Sequence, residues 1–194
     1  MPSGTLWSTK NIGATNGDTA ESWYGNYYAW GETETKANYS WDTYKYANGA
    51  NNKLTKYCNN SAYGNDRYTD ELTQLVPEDD VATVTKSAWR MPTNEDFNEL
   101  LAGTINSWVT DYNGISGLNG RVFTSKVNGN MLFIPAAGLR DGSDIYDVGS
   151  YCGLWSSALC LDSPDLAYCL SFYSDSIYMS NDDRCRGLSV RPVC

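Results

Sequence analysis

Polar and apolar positions alternate most cleanly near the carboxyl end. In 168–173, Leu170 and Phe172 fall on one face of a period-2 strand, and Cys169, Ser171 and Tyr173 fall on the other. Ser174-Asp175 then supplies turn chemistry. Past it, Ile177 and Met179 point one way, and Ser176, Tyr178 and Ser180 the other. The pattern predicts a β-hairpin with one buried face and one displayed face. A polar loop at 181–186 follows, and a last strand turns Leu188 and Val190 inward.

Upstream, the pattern predicts short elements separated by loops. Leu6-Trp7 and Ile12 suggest a first strand ended by Gly13, and 23–30 (WYGNYYAW) an aromatic strand ended at Gly31-Glu32. The 33–76 segment, rich in Asn, Tyr and Thr, reads as a long ordered loop pinned by aromatics, with one short strand near 41–46. Pro77-Glu78-Asp79-Asp80 opens a short helix through Val84, its acids at the positive end. The strongest helix is 94–102, with Thr93 as cap, Asp96 at its third position and Phe97, Leu100 and Leu101 as its apolar stripe. Asn128-Gly129 marks a hairpin turn, 131–135 (MLFIP) a buried strand, and 141–149 a polar loop. With no repeat or linker, residues 1–194 read as one α+β domain, two helices around short twisted antiparallel sheets.

Composition narrows the function. The chain of 194 residues carries a net charge of -9, which argues against nucleic acid or an anionic membrane as partner. It contains no His, which removes Ser-His and Cys-His nucleophiles and His-ligated metals. After Lys126 there is no Lys, Glu, Gln or Thr, so every later charge is Asp or Arg. Short polar side chains and Tyr lose little rotamer freedom on binding, the vocabulary of antibody loops. A plain Ser- and Tyr-rich sheet edge has the same composition. The six cysteines follow neither a CxxC nor a zinc spacing and read more readily as free thiols than as disulfides, with Cys160, Cys169 and Cys185 on the displayed side. No apolar run is long enough to span a membrane, and 1–20 does not read as a secretory signal.

Other candidate chemistry has simpler readings. Glu95 and Glu99 stand at i,i+4 on the helix, the spacing of a carboxylate pair but also of a solvated face. Asp141, Asp144 and Asp147 could line a calcium loop, though ordinary turn aspartates are the simpler reading. Arg184 and Arg191 could meet an anion, or pair with buried carboxylates or carbonyls as scaffold.

A resemblance joins these pieces. Arg90-Met91-Pro92-Thr93 with Glu95, Phe97 and Glu99 resembles the helix motif of formylglycine-generating-enzyme-like domains. The closing Arg184-x-x-Gly187-x-Ser189-Val190-Arg191-Pro192-Val193 resembles that family's last strand. Leu6-Trp7 with Asn11-Ile12-Gly13, then Tyr27-Tyr28-Ala29-Trp30-Gly31-Glu32, Pro135-Ala136-Ala137-Gly138 and Trp155-Ser156-Ser157 resemble gut-bacterial and phage members. The resemblance implies a C-type lectin-like fold. Residues 155–193 resemble, more narrowly, the diversified end of variable proteins of diversity-generating retroelements. There, Asn codons mutated at adenine, with the third base still a pyrimidine, yield Asn, Tyr, Ser, Asp, Cys, Leu, Arg or Gly but never Lys, Glu, Gln, Met or Trp.

Cys160, Asp162, Asp165, Leu166, Cys169, Ser171, Tyr173, Ser176, Tyr178, Ser180, Asn181, Asp182, Asp183, Cys185 and Arg186 all obey that rule. They are the ligand-binding positions the resemblance implies, on a fixed lattice of Leu170, Phe172, Ile177 and Met179. The implied partner is a protein or glycan on another cell, and the implied location a virion tail tip or bacterial surface, with no cofactor. Two alternatives stand beside it. One is a formylglycine-generating-type oxidase, for which Cys160 and Cys169 are the nearest match to the copper-binding cysteine pair. The other is a secreted carbohydrate-binding or structural domain that is not diversified.

Overall fold

The computed structural model describes residues 3–194, a mixed α/β chain dominated by sheet. Three α-helical segments are α1 (Glu21–Tyr24), α2 (Val81–Thr85) and α3 (Asn94–Gly103). Ten strands follow in chain order: β1 (Tyr27–Tyr28), β2 (Thr104–Val109), β3 (Gly120–Ser125), β4 (Met131–Pro135), β5 (Leu139–Asp141), β6 (Asp144–Tyr146), β7 (Cys152–Leu159), β8 (Leu166–Phe172), β9 (Ile177–Asp183) and β10 (Leu188–Ser189). They form a five-stranded sheet, β1-β10-β7-β8-β9, a three-stranded sheet, β2-β3-β4, and the β5-β6 hairpin. All named pairings are antiparallel except β10 with β7, which is parallel.

α3 forms where its caps demand it. The Thr93 side chain accepts from the Asp96 amide, and the Asp96 carboxylate accepts from the Thr93 amide, closing a reciprocal box. The helix buries Phe97 and Leu100 in an apolar layer with Phe123, Ile134, Leu154, Leu170 and Phe172, so one face of β7-β8 packs on α3 and on β3-β4. Each such side chain contributes about 2 kcal/mol on leaving water. Glu99 holds the amino-terminal segment, accepting from Ser3 N and Ser3 Oγ at 2.6 Å each, which accounts for it without a carboxylate dyad.

The other face of the sheet carries Trp155, Ala167 and Cys169 into a second layer with Trp30, Tyr57 and Leu188. Over it lies 33–76, which has no named strand. The strand expected near 41–46 is a 3-10 turn, Trp41–Thr43. Edge-to-face rings hold the segment instead: Trp41 on Tyr44 at 5.5 Å, Tyr44 on Tyr46 at 5.9 Å, Tyr46 on Tyr57 at 5.7 Å and Tyr57 on Trp30 at 5.1 Å. The guanidinium of Arg184, wholly buried, closes this cluster. It donates to Tyr44 Oη (3.0 Å), Tyr57 O (3.0 Å), Pro164 O (2.7 Å) and Lys56 O (3.0 Å).

Other expectations shift locally. The aromatic 23–30 run splits into α1 and β1, because Gly25 at φ 75° breaks it. A first strand at Leu6 to Ile12 reduces to a bridge between Trp7 and Val193. The 141–149 loop is partly strand, and Met131, expected inside, is exposed. Asn128-Gly129 does turn between β3 and β4.

Arg184→Met should lower the unfolding free energy by about 3 kcal/mol or more, since four acceptors lose their donors, whereas Thr93→Ala should cost about 1 kcal/mol. Urea denaturation followed by Trp fluorescence measures both.

Candidate functional site

The expected hairpin is present, and its register decides which side chains share a face. β8 and β9 pair Ser171 with Tyr178, Cys169 with Ser180 and Ala167 with Asp182. Leu170 pairs with Met179 and Phe172 with Ile177 on the opposite face. Tyr173, at 39% exposure, and Tyr178, at 46%, stand at the turn end of this surface. Ser176, Ser180, Asp182 and Arg186 are half-buried around it. The rest of the expected set divides. Asn181 and Asp183 pair with Tyr168 and Leu166, on the face of Leu170, and Asp162 is exposed in the turn before β8.

Five expected display positions are buried. Cys169 is 0% and Ser171 3% exposed, and Cys160, Asp165 and Cys185 are also inside. Period-2 alternation assigns residues to a face but does not say whether another layer covers it. β8 is a central strand between β7 and β9, and both its faces are roofed. Tyr151 covers Ser171, their hydroxyls 3.0 Å apart, and its ring lies 5.0 Å from that of Tyr173. Cys169 sits beside Trp155 in the β7 register, its Sγ 3.5 Å from Ser171 Oγ. Asp165 accepts from Ser163 Oγ at 2.7 Å and from Asn51 Nδ2 at 2.9 Å. The Asn181 amide points to Cys160 Sγ at 3.9 Å.

The turn is held from outside by its main chain. Arg121, on β3, donates from Nε to Tyr173 O (3.1 Å) and from Nη2 to Ser174 O (3.1 Å) and Ser176 O (3.3 Å), while Nη1 meets Asn106 Oδ1 at 2.6 Å. Asn59 Nδ2 donates to Leu161 O at 2.9 Å, and Trp30 Nε1 to Ser156 O at 2.8 Å. These donors touch main-chain carbonyls rather than the side chains of the expected display positions. Arg121 and Tyr151 were missed in the sequence, where nothing near either one signals a distant turn. Also missed were Ile145, Tyr146 and Val148, exposed apolar residues around the β5-β6 hairpin. Only their unusual apolarity within a polar loop marked them.

Charge gathers beside the hairpin. Arg186 pairs with Asp182 at 2.8 Å, Asp141 at 3.2 Å and Asp183 at 3.7 Å. Burial holds the Asp182 and Asp183 carboxyls above the usual value, with Arg186 opposing it. Burial also pushes the Cys152, Cys169 and Cys185 thiols up to about 12. All six cysteines are free, five of them buried. Among the described residues, no three His, Cys, Asp or Glu side chains gather to hold a metal ion. Of the aspartates considered for calcium, Asp141 and Asp144 face each other across the hairpin and Asp141 is engaged by Arg186. Among the described residues no helix is long and apolar enough to cross a membrane.

Compared with known proteins, the chain matches no family model, no curated protein and no solved structure.

Burial separates positions that the sequence placed on one displayed face. Cys169→Tyr should destabilise by about 1–3 kcal/mol through overpacking, while Ser180→Tyr should leave the melting temperature within a degree or two. Equal effects in thermal melts would mean that Cys169 is not enclosed. In a carboxyl-carbon NMR titration, Asp182 should titrate above the ordinary Asp value. Asp96 should titrate below it: burial opposes its ionisation, but Arg90 and the Thr93 amide outweigh that. Asp96 therefore contributes stability above the unfolded Asp pKa that is lost as pH falls through its lower folded value. Asp182 has the opposite sign, its burden easing as pH falls through its raised pKa.

Proposed function

We propose that this chain is a recognition protein, binding a protein or glycan on another cell through the surface of Tyr173, Tyr178, Ser180, Asp182 and Arg186. The observation that carries this reading is the β8-β9 register, which puts both exposed tyrosines and their polar neighbours on one face of a hairpin anchored by its carbonyls. Tyrosines supply area and a hydroxyl at small entropic cost, and Ser and Asp supply adaptable hydrogen bonds.

The finer fold proposed is C-type lectin-like, of the formylglycine-generating-enzyme type. What supports it is that the six motifs of the resemblance bond to one another. Arg90 and Val193 exchange main-chain bonds of 2.9 Å, Trp7 bridges Val193, and Ser157 N donates to Pro92 O at 2.8 Å. Trp155 Nε1 reaches Tyr28 O at 2.7 Å, Trp30 N reaches Arg184 O at 2.9 Å, and Tyr27 Oη donates to Ala137 O.

Diversification by a retroelement is proposed with a narrower palette than the codon rule alone. Cys160, Cys169, Ser171 and Cys185 sit in enclosed space, so small replacements are favoured there. The proposed location is a virion tail tip or a bacterial surface. Cys160 and Cys169 are both buried, and burial pushes the Cys169 thiol up to about 12, which works against thiolate chemistry there and favours binding over the oxidase reading.

Replacing Tyr173 and Tyr178 together with Ala should abolish attachment to ligand-bearing cells while shifting the melting temperature little. Retained attachment would sink the binding reading. Diversification has its own test: a near-copy of the 3′ coding repeat, with Asn codons at the variable positions, beside a reverse transcriptase gene.

A further inference from the structure

Arg140 stands apart from the arginines whose partners the structure shows. Arg90 and Arg186 pair with aspartates, and Arg121, Arg184 and Arg191 are bonded to oxygens of the protein. Among the described residues the Arg140 guanidinium has no carboxylate, carbonyl or hydroxyl partner. It lies only over two rings, 5.8 Å from the centroid of Tyr27 and 5.8 Å from that of Tyr39. Those rings are fixed, because Tyr27 Oη is bonded to Ala137 O and Tyr39 Oη donates to Tyr27 O at 2.6 Å. Beneath the guanidinium opens a polar cleft of about 290 Å³, lined by Asn26, Tyr27, Thr35, Lys36, Tyr39 and Arg140.

Two nearby acids are already engaged. Glu32 accepts from Lys36 Nζ at 2.8 Å and from Lys45 N at 2.8 Å, and Asp141 is held by Arg186. In a chain of net charge -9, the cleft thus keeps an uncompensated, oriented guanidinium. A planar fork of donors over fixed rings suits a planar carboxylate, which it can take bidentately.

We infer that this cleft is a constant subsite for a ligand carboxylate, beside the variable surface. It rests on the binding reading above. Main-chain bonds between Arg140 and Gly187, of 2.8 and 2.9 Å, set the subsite next to Arg186. Every lining residue lies outside 155–193, so diversification would leave the subsite untouched. One half of recognition would be fixed, grasping a common acidic group, while the other half is re-edited.

The experiment follows the Arg140 Nε–Hε resonance while the whole chain is titrated with glucuronate, N-acetylaspartate or sulfate. A saturable shift with glucuronate alone points to an acidic sugar, and one with N-acetylaspartate alone to an acidic side chain; either supports the subsite. Arg140→Lys keeps the charge but loses the fork, and should weaken that binding by about tenfold or more. The Tyr173→Ala, Tyr178→Ala double variant should bind the carboxylate unchanged, so failure of the variable face and failure of the subsite read out separately. The inference is overturned if neither carboxylate shifts the resonance saturably, if sulfate binds as tightly as both, if Arg140→Lys binds as well as the parent, or if the tyrosine variant loses the carboxylate.

Discussion

One buried guanidinium decides how the long irregular segment meets the sheet. Taking a cation out of water costs several kcal/mol, and Arg184 recovers this without a counter-ion. Three carbonyls and a tyrosine hydroxyl take its protons, and the rings of Trp30, Tyr44 and Tyr57 stand 4.9, 5.2 and 5.8 Å from its centre. Its acceptors come from 56–57 and from 164, so one side chain fixes the loop and the approach to β8 together. Arg191 does the same beyond β10, donating to Asn11 Oδ1, Ser8 O and Phe133 O, and burial pulls its pKa down to about 10. Short strands that could not hold a sheet alone are thereby locked to everything around them.

The same logic explains the hairpin. A turn clasped through its main chain does not depend for its shape on the side chains it presents. Arg121 gives its donors to the turn carbonyls, which every residue type presents alike. The apolar lattice on the other face, Leu170 and Phe172 against Phe97 and Leu100, supplies the apolar burial. Gly187 lets the chain pass close to Tyr39, since a Cβ there would lie 2.8 Å from its ring.

Elements with a local cause were legible in the chain. The Thr93–Asp96 box, the Asn128-Gly129 turn and the two-faced 168–180 hairpin each follow from neighbours a few residues apart. Which residues shared the polar face was legible from 169 to 180, where it depends only on parity, but Asn181 and Asp183, expected in a loop, continue β9 on the opposite face. Whether the polar face met solvent was not legible, since Tyr151 roofs Ser171 from twenty residues upstream and Trp155 flanks Cys169 through a neighbouring strand. The aromatic packing of 33–76 was expected in kind, but its dependence on Arg184, over a hundred residues later, leaves no local trace. Arg121 and Arg140 were invisible for the same reason: their meaning lies in distant carbonyls and rings.

The grip of Arg121 on carbonyl oxygens has a practical corollary. A loop clasped by its backbone behaves as a socket of constant shape, into which combinatorial libraries at 173, 174, 176, 178 and 180 can be plugged without redesigning the frame.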